Sequence, residues 1–201
     1  MKRVYDLSLK YMRNYKYFSR LTEEDEEQLK SVGISPDTLP DCVYSIDCIC
    51  GNKLRHGIGV RNVKGGVEFI NFDNMQDATT IKNCGISIIP ASSDKSEDCC
   101  VFFSLRDYLV YNTLSLSCDT RLPTGCDALL LSSSCNIIDL IVESEDYDRV
   151  YTFLPNDDLG TIISKTMKQR NPMNVINYEF IYEPYKTLTE YAKIVSLNQN
   201  K

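Results

Sequence analysis

The chain has 201 residues, 43% of them hydrophobic and 25% charged, with 22 basic against 28 acidic side chains and a net charge of −6. This composition excludes a wholly disordered or collagen-like chain, and the length suits one domain, or one domain with a small accessory, whose core needs no staples. No apolar run approaches the ~18–20 residues that cross a bilayer, and no apolar stretch follows the basic start Met1-Lys2-Arg3, so a cytoplasmic protein with no membrane association is expected.

Charge is unevenly placed. Residues 1–20 hold six basic side chains (Lys2, Arg3, Lys10, Arg13, Lys16, Arg20) against one acid, Asp6, while residues 23–27 are all acidic. The pattern predicts a helix over residues 4–20. Its basic side is either a solvated face or a nucleic-acid contact through Arg3, Lys10, Arg13, Lys16 and Arg20. Tyr5, Tyr11, Tyr15 and Tyr17 lie beside them, the one aromatic cluster suited to stacking on bases. A net-acidic chain does not attract phosphate over its whole surface.

A second helix is predicted from Thr22, a good N-cap followed by acids that suit a helix start, to a stop at Gly33. Residues 34–40 read as a turn segment. Short β-like runs follow at 43–50, 55–62 and 67–71. Asn62-Val63-Lys64-Gly65-Gly66 forms the hairpin turn between the last two, because glycine supplies positive φ. These runs predict a small antiparallel sheet packed on the N-terminal helices. Residues 72–98 look irregular apart from 86–89, and the polar loop 92–98 suggests a division into an α+β accessory segment, 1–94, and a second domain, 95–201.

In the second part strands alternate with helices. Strands are predicted at 99–103, 126–131, 149–154 and 175–178, and helices at 107–113, 137–142, 159–169 and 187–195. That alternation implies an α/β domain with a mostly parallel sheet and helices on both faces. The nine cysteines form no C-x-x-C pair, and His56 is the single histidine. Reduced cysteines filling apolar strands are expected, with zinc a weak alternative. Ser132-Ser133-Ser134 lacks a nucleophile-elbow setting and reads as hydroxyls capping the next helix. Gly57-x-Gly59 lacks the third glycine of a dinucleotide fingerprint.

Chemistry in a parallel sheet sits beyond the carboxyl ends of its strands. Three such ends are Val101-Phe102-Phe103-Ser104-Leu105-Arg106-Asp107, Leu129-Leu130-Leu131-Ser132-Ser133-Ser134 and Phe153-Leu154-Pro155-Asn156-Asp157-Asp158-Leu159-Gly160. In this order they resemble the Toprim domain of primases, topoisomerases and related nucleases, and in particular the primase-like Toprim proteins of Bacteroides-type mobile elements. The stretch Gly57 to Phe69 resembles the β-rich segment that precedes the domain in those proteins. The tail from Tyr178 to Tyr191 resembles their closing segment, in which a Lys-Asp pair precedes the last helix.

The resemblance implies a Toprim-like fold and a bacterial protein of DNA metabolism, and its departures imply a degenerate site. The family's glutamate falls on Phe103 and its glycine on Ser104, while the aspartate three residues after that glycine is kept as Asp107. In the Leu-Asp-Asn-Asp motif the first aspartate falls on Pro155, while Asn156, Asp157 and Gly160 match. The tail aspartate falls on Thr187. Family chemistry needs a titrating glutamate and carboxylates around Mg²⁺, a hard ion that wants oxygen ligands. Phe103 supplies neither. The expectation is therefore a pseudoenzyme without a cofactor, serving as a binding or scaffold module for DNA or for a replication or mobilisation protein. Two alternatives remain: a Mg²⁺-dependent nucleotidyl transferase or nuclease using Asp107, Asp157 and Asp158 with a displaced base, and a protein-only interaction module. Asp107 and Asp157 or Asp158 can equally serve as helix caps.

Overall fold

The computed structural model describes residues 15–18, 20–50, 53–74, 78–92, 95–117 and 122–199. They form two five-stranded sheets. The first is antiparallel, with β1 (Tyr15–Phe18), β2 (Tyr44–Cys50), β3 (Lys53–Arg61), β4 (Val67–Asn71) and β5 (Ala78–Ile81) in chain order. The second contains β6 (Ser87–Ile89), β7 (Asp98–Phe102), β8 (Asp127–Leu130), β9 (Arg149–Phe153) and β10 (Val175–Asn177), ordered β10-β9-β7-β8-β6. Only β6 runs antiparallel in it. The chain thus passes from one sheet to the other between Ile81 and Ser87, ahead of the 92–98 loop. The helices are α1 (Glu23–Ser31), α2 (Leu105–Ser117), α3 (Ile137–Ser144), α4 (Asp158–Arg170) and α5 (Leu188–Gln199).

The α/β expectation for the second part holds, and burial explains why its strands read as continuous apolar runs. One face of the parallel sheet carries Phe102, Leu130 and Phe153 into a core shared with Leu109 of α2, Leu188 of α5, Leu29 of α1 and Ile58, Val60 and Ile70 of the antiparallel sheet. Phe102 and Phe153 stack there with centroids 5.1 Å apart. The other face carries Val101, Leu129 and Val150 against Leu140 and Ile141 of α3 and Ile163 and Met167 of α4. A third, smaller core of Ile46, Cys48, Val67, Phe69 and Ile81 lies on the far side of the antiparallel sheet.

Two elements differ from expectation. The helix predicted over 4–20 is replaced, where described, by β1, which pairs Tyr15 with Cys48 and Phe18 with Ser45. Tyr-Lys-Tyr-Phe alternates and is aromatic, which suits a pleated edge better than a helix turn. Of the proposed basic contacts, Arg3, Lys10 and Arg13 lie outside the described residues. Lys16 stands opposite Asp47 in the β1–β2 register, and Arg20 is exposed. The second difference is β5, within a stretch expected to be irregular. Its Ala-Thr-Thr-Ile run pairs with the hydrogen-bonding edge of β4.

The α1 cap forms as predicted. Thr22 Oγ1 accepts from the Asp25 N–H, and Asp25 returns the bond to the Thr22 N–H. Gly59 has a packing reason: a Cβ there would sit 2.5 Å from the Glu68 carbonyl oxygen on β4. Cys48, Cys99 and Cys100 are buried free thiols, while the Cys84 and Cys135 sulfurs stand 3.2 Å apart near the surface. Among the described residues no helix is long and apolar enough to cross a membrane.

Candidate functional site

Strand order β9-β7-β8 sets the three motif-bearing strand ends side by side. What they present differs from the arrangement that the resemblance implies for an active enzyme. Phe103 leaves β7 toward the α3–α4 side and packs, half-buried, against the apolar cluster of Leu131, Leu140 and Ile163. Alternation along a strand sends Phe102 and Phe103 to opposite faces.

A carboxylate nevertheless reaches this crevice, from a place the sequence reading did not single out. On β4, Glu68 and Ile70 share one face, and Ile70 lies in the core with Leu105 and Leu109 of α2. Glu68 is 1% exposed. Its Oε1 accepts the Leu105 N–H at 2.5 Å, at the start of α2, and its Oε2 accepts the Ser132 hydroxyl at 2.5 Å, just past β8. Ser132 holds a φ of 61°, rare for a residue with a side chain. Burial pushes the Glu68 carboxyl up to about 7. The two hydrogen bonds oppose that rise, and nearby Asp107 adds to it. The available signal was one acid inside the otherwise apolar run Val67-Glu68-Phe69-Ile70.

Asp107 is buried and faces inward. Its Oδ1 accepts the Thr189 N–H at 3.2 Å and the Thr189 hydroxyl at 2.6 Å, and its Oδ2 accepts the Ser104 hydroxyl at 2.9 Å. Burial raises its pKa against those bonds. The side chain ties the start of α2 to the first turn of α5. Asp107→Ala is expected to cost about 2–3 kcal/mol, because it strands buried donors. Asp107→Asn, which keeps an acceptor for Thr189, should cost under ~1 kcal/mol by the same reasoning. Urea unfolding of the two variants checks this, and equal losses would contradict it.

At the third strand end, Asp157 is the N-cap of α4: Oδ1 accepts the Gly160 N–H at 2.9 Å and Oδ2 pairs with Lys186 at 3.0 Å. Partial burial works against the ionised form, but the Gly160 and Lys186 contacts outweigh it and lower the Asp157 pKa. Asp158 is exposed in the first turn of α4. Gly160 is needed because a Cβ there would collide with the Pro155 carbonyl. The tail returns to this strand end. The Lys186 carbonyl accepts the Asn156 N–H at 2.7 Å, and Thr187, at the aspartate position, accepts the Glu190 N–H at 3.2 Å as a cap for α5. Ser133 caps the following turn as expected, whereas Ser132 serves Glu68.

These residues do not fit a Mg²⁺ site. Near-octahedral Mg²⁺ needs convergent carboxylate and water oxygens. The oxygens of Glu68, Asp107 and Asp157 are each engaged by protein donors. Among the described residues no group of three or more His, Cys, Asp or Glu side chains could hold a metal ion.

No family model matches the chain. No curated protein matches it either. Solved structures do. The crystal structure of the primase fragment of the bacteriophage T7 primase-helicase protein aligns with a TM-score of 0.53 at 13% identity, over 85% of this chain and 69% of that one. A structure of the bacteriophage T7 lagging-strand DNA polymerase interacting with primase domains bound to an RNA/DNA hybrid and dTTP contains a chain that aligns with a TM-score of 0.55 at 14% identity, over 100% of this chain and 93% of that one. An antiparallel sheet followed by a mostly parallel, helix-covered sheet is therefore a primase-like fold.

Proposed function

We propose that this protein is a catalytically degenerate, Toprim-like relative of mobile-element DNA primases, acting as a binding or scaffold module in DNA metabolism. We divide it into an accessory part, residues 1–94, and a Toprim-like part, residues 95–201, with β6 of the accessory part completing the edge of the second sheet beside β8. The observation that carries the reading is the state of the strand-end crevice: Phe103 and Pro155 stand at acid positions of the resemblance, and the remaining acids hold helices and sheets together. The partners that suit this reading are DNA or a replication or mobilisation protein. Primase domains bound to an RNA/DNA hybrid and contacting a polymerase occur in the neighbouring structure.

One observation favours a second reading, an active Mg²⁺-dependent nucleotidyl transferase with a displaced base. Glu68 brings a carboxyl with a pKa of about 7 to the same crevice, a value suited to proton transfer near neutrality. A melting titration with Mg²⁺ and Mn²⁺ separates the two, since a ligand of the native state must raise the midpoint. The first reading expects no shift at millimolar metal and no primer synthesis or DNA cleavage. A metal-dependent shift, with activity abolished by Glu68→Gln, would establish the second. Salt-dependent binding of single-stranded DNA would support a DNA-facing module, and its absence would favour a protein-only one.

A further inference from the structure

A cavity of about 450 Å³ opens beyond the carboxyl ends of β9 and β10, between α4 and the turn Glu179–Tyr182. Asn156 and Gly160 of the third strand end also line it, so it adjoins the crevice described above, without including Phe103, Asp107 or Asp157. One wall is a single face of α4 carrying Thr161, Ser164, Lys165 and Lys168 at helical spacing. The facing wall carries Asn177, Glu179 and Phe180.

Three features of the walls ask for a ligand of one kind. Lys165 and Lys168 are exposed, and neither forms an ion pair among the described residues, so the α4 wall offers two ammonium groups to an anion. Phe180 is 64% exposed although large and apolar, and it presents an uncovered ring. Glu179 Oε1 accepts the Leu154 N–H at 3.2 Å, whereas Oε2 is buried without a hydrogen-bond partner. A buried acceptor left unpaired costs free energy that a ligand donor would recover. Cations therefore stand on one wall, and an aromatic face and an unused acceptor on the other.

We propose that this cavity binds a nucleoside phosphate: phosphate against Lys165 and Lys168, base on the Phe180 ring, and a base N–H donated to Glu179 Oε2. Phosphate is the common anion for which lysines serve as point charges. An aromatic face takes any base by stacking. Glu183 lines the cavity together with Glu179, and repulsion from these two carboxylates favours a phosphate seated at the α4 lysines.

The test is calorimetric titration of the full chain with ATP and GTP in EDTA, with inorganic phosphate and ribose 5-phosphate as comparisons. EDTA removes any metal-dependent route through the strand-end crevice, so failure here leaves the proposed function standing, and a metal effect there leaves this proposal standing. Saturable binding of nucleotide is expected, tighter than either comparison ligand. Phe180→Ala should weaken it about tenfold, as the loss of one stacking contact does, and Lys165→Glu/Lys168→Glu should abolish it. All three positions are exposed, so circular dichroism should show an unchanged fold. Absence of saturable binding at millimolar nucleotide, binding no tighter than inorganic phosphate, or affinities unchanged by the substitutions would each overturn the proposal.

Discussion

Glu68→Gln should flatten the pH dependence of stability between about pH 4.5 and 7, the interval across which the parent protein should lose about 3 kcal/mol. The sign follows from the direction of the shift. Burial raises the folded-state carboxyl from 4.5 to about 7, so the folded protein holds this proton more tightly than the unfolded chain. The resulting stabilisation is fully present below pH 4.5 and is lost as pH rises through 7. Glutamine removes the titration while keeping an acceptor for the Leu105 N–H and a group that can bond Ser132. At pH 8 the variant should therefore be the more stable protein. For a chain of this size the difference is several degrees in melting midpoint. Glu68→Ala behaves differently. It deletes the acceptor of a buried helix-start N–H and leaves a cavity, and at pH 5 it should cost about 2–4 kcal/mol. A parent stability that stays level from pH 4.5 to 7 would show that folding leaves the carboxyl at its ordinary pKa, which would also remove the support Glu68 gives to an active site.

The part of the fold that proved legible depends on signals carried by neighbours in sequence. Thr22 with its acids announces α1, Gly65-Gly66 announces the β3–β4 hairpin, and strand-helix alternation after residue 98 announces the parallel sheet. Partnerships across the chain were not legible. Nothing near Tyr15–Phe18 says that it will pair with Ser45–Cys48, and nothing near Ala78–Ile81 says that β4 has a free edge. The candidate site divides the same way. Phe103 and Pro155 could be placed at the crevice from motif order alone. Glu68 could not, because its partners lie 37 and 64 residues further on. The α4 cavity is illegible in the sequence for a related reason: its two walls come from α4 and from the turn after β10.

His56→Ala should cost about 3 kcal/mol below pH 6.5, and it should remove a second loss of stability that the parent undergoes as pH rises through about 9. His56 on β3 lies between two acids, with Nε2 2.5 Å from Asp25 Oδ1 and Nδ1 2.7 Å from Asp47 Oδ1. Both nitrogens donate only in the imidazolium form, which the two carboxylates favour. The hydrogen bond with Asp25 and then the one with Asp47 raise its pKa to about 9, against partial desolvation. Asp25 is fully buried at the α1 cap, and burial alone would raise its pKa. The His56 and Thr22 bonds outweigh that and bring it below 3.8. Alanine leaves this carboxylate buried without a cation, which is the costly way to break such a pair, although solvent at the 31% exposed imidazole screens part of the interaction. The signs again fix the window. The raised imidazole contributes fully below pH 6.5 and is lost through 9, and the depressed Asp25 contributes above 3.8 and is lost below it. Together with Glu68, this places the stability maximum near pH 4–5, lower than the pH 5–8 common for globular proteins. Unfolding measured from pH 4 to 9.5 separates the contributions: Glu68→Gln should level the lower half of the decline and His56→Ala the upper half. A His56→Ala protein that keeps the alkaline fall would show that the imidazole is neutral between the two acids and that α1 is held to the sheet by packing alone.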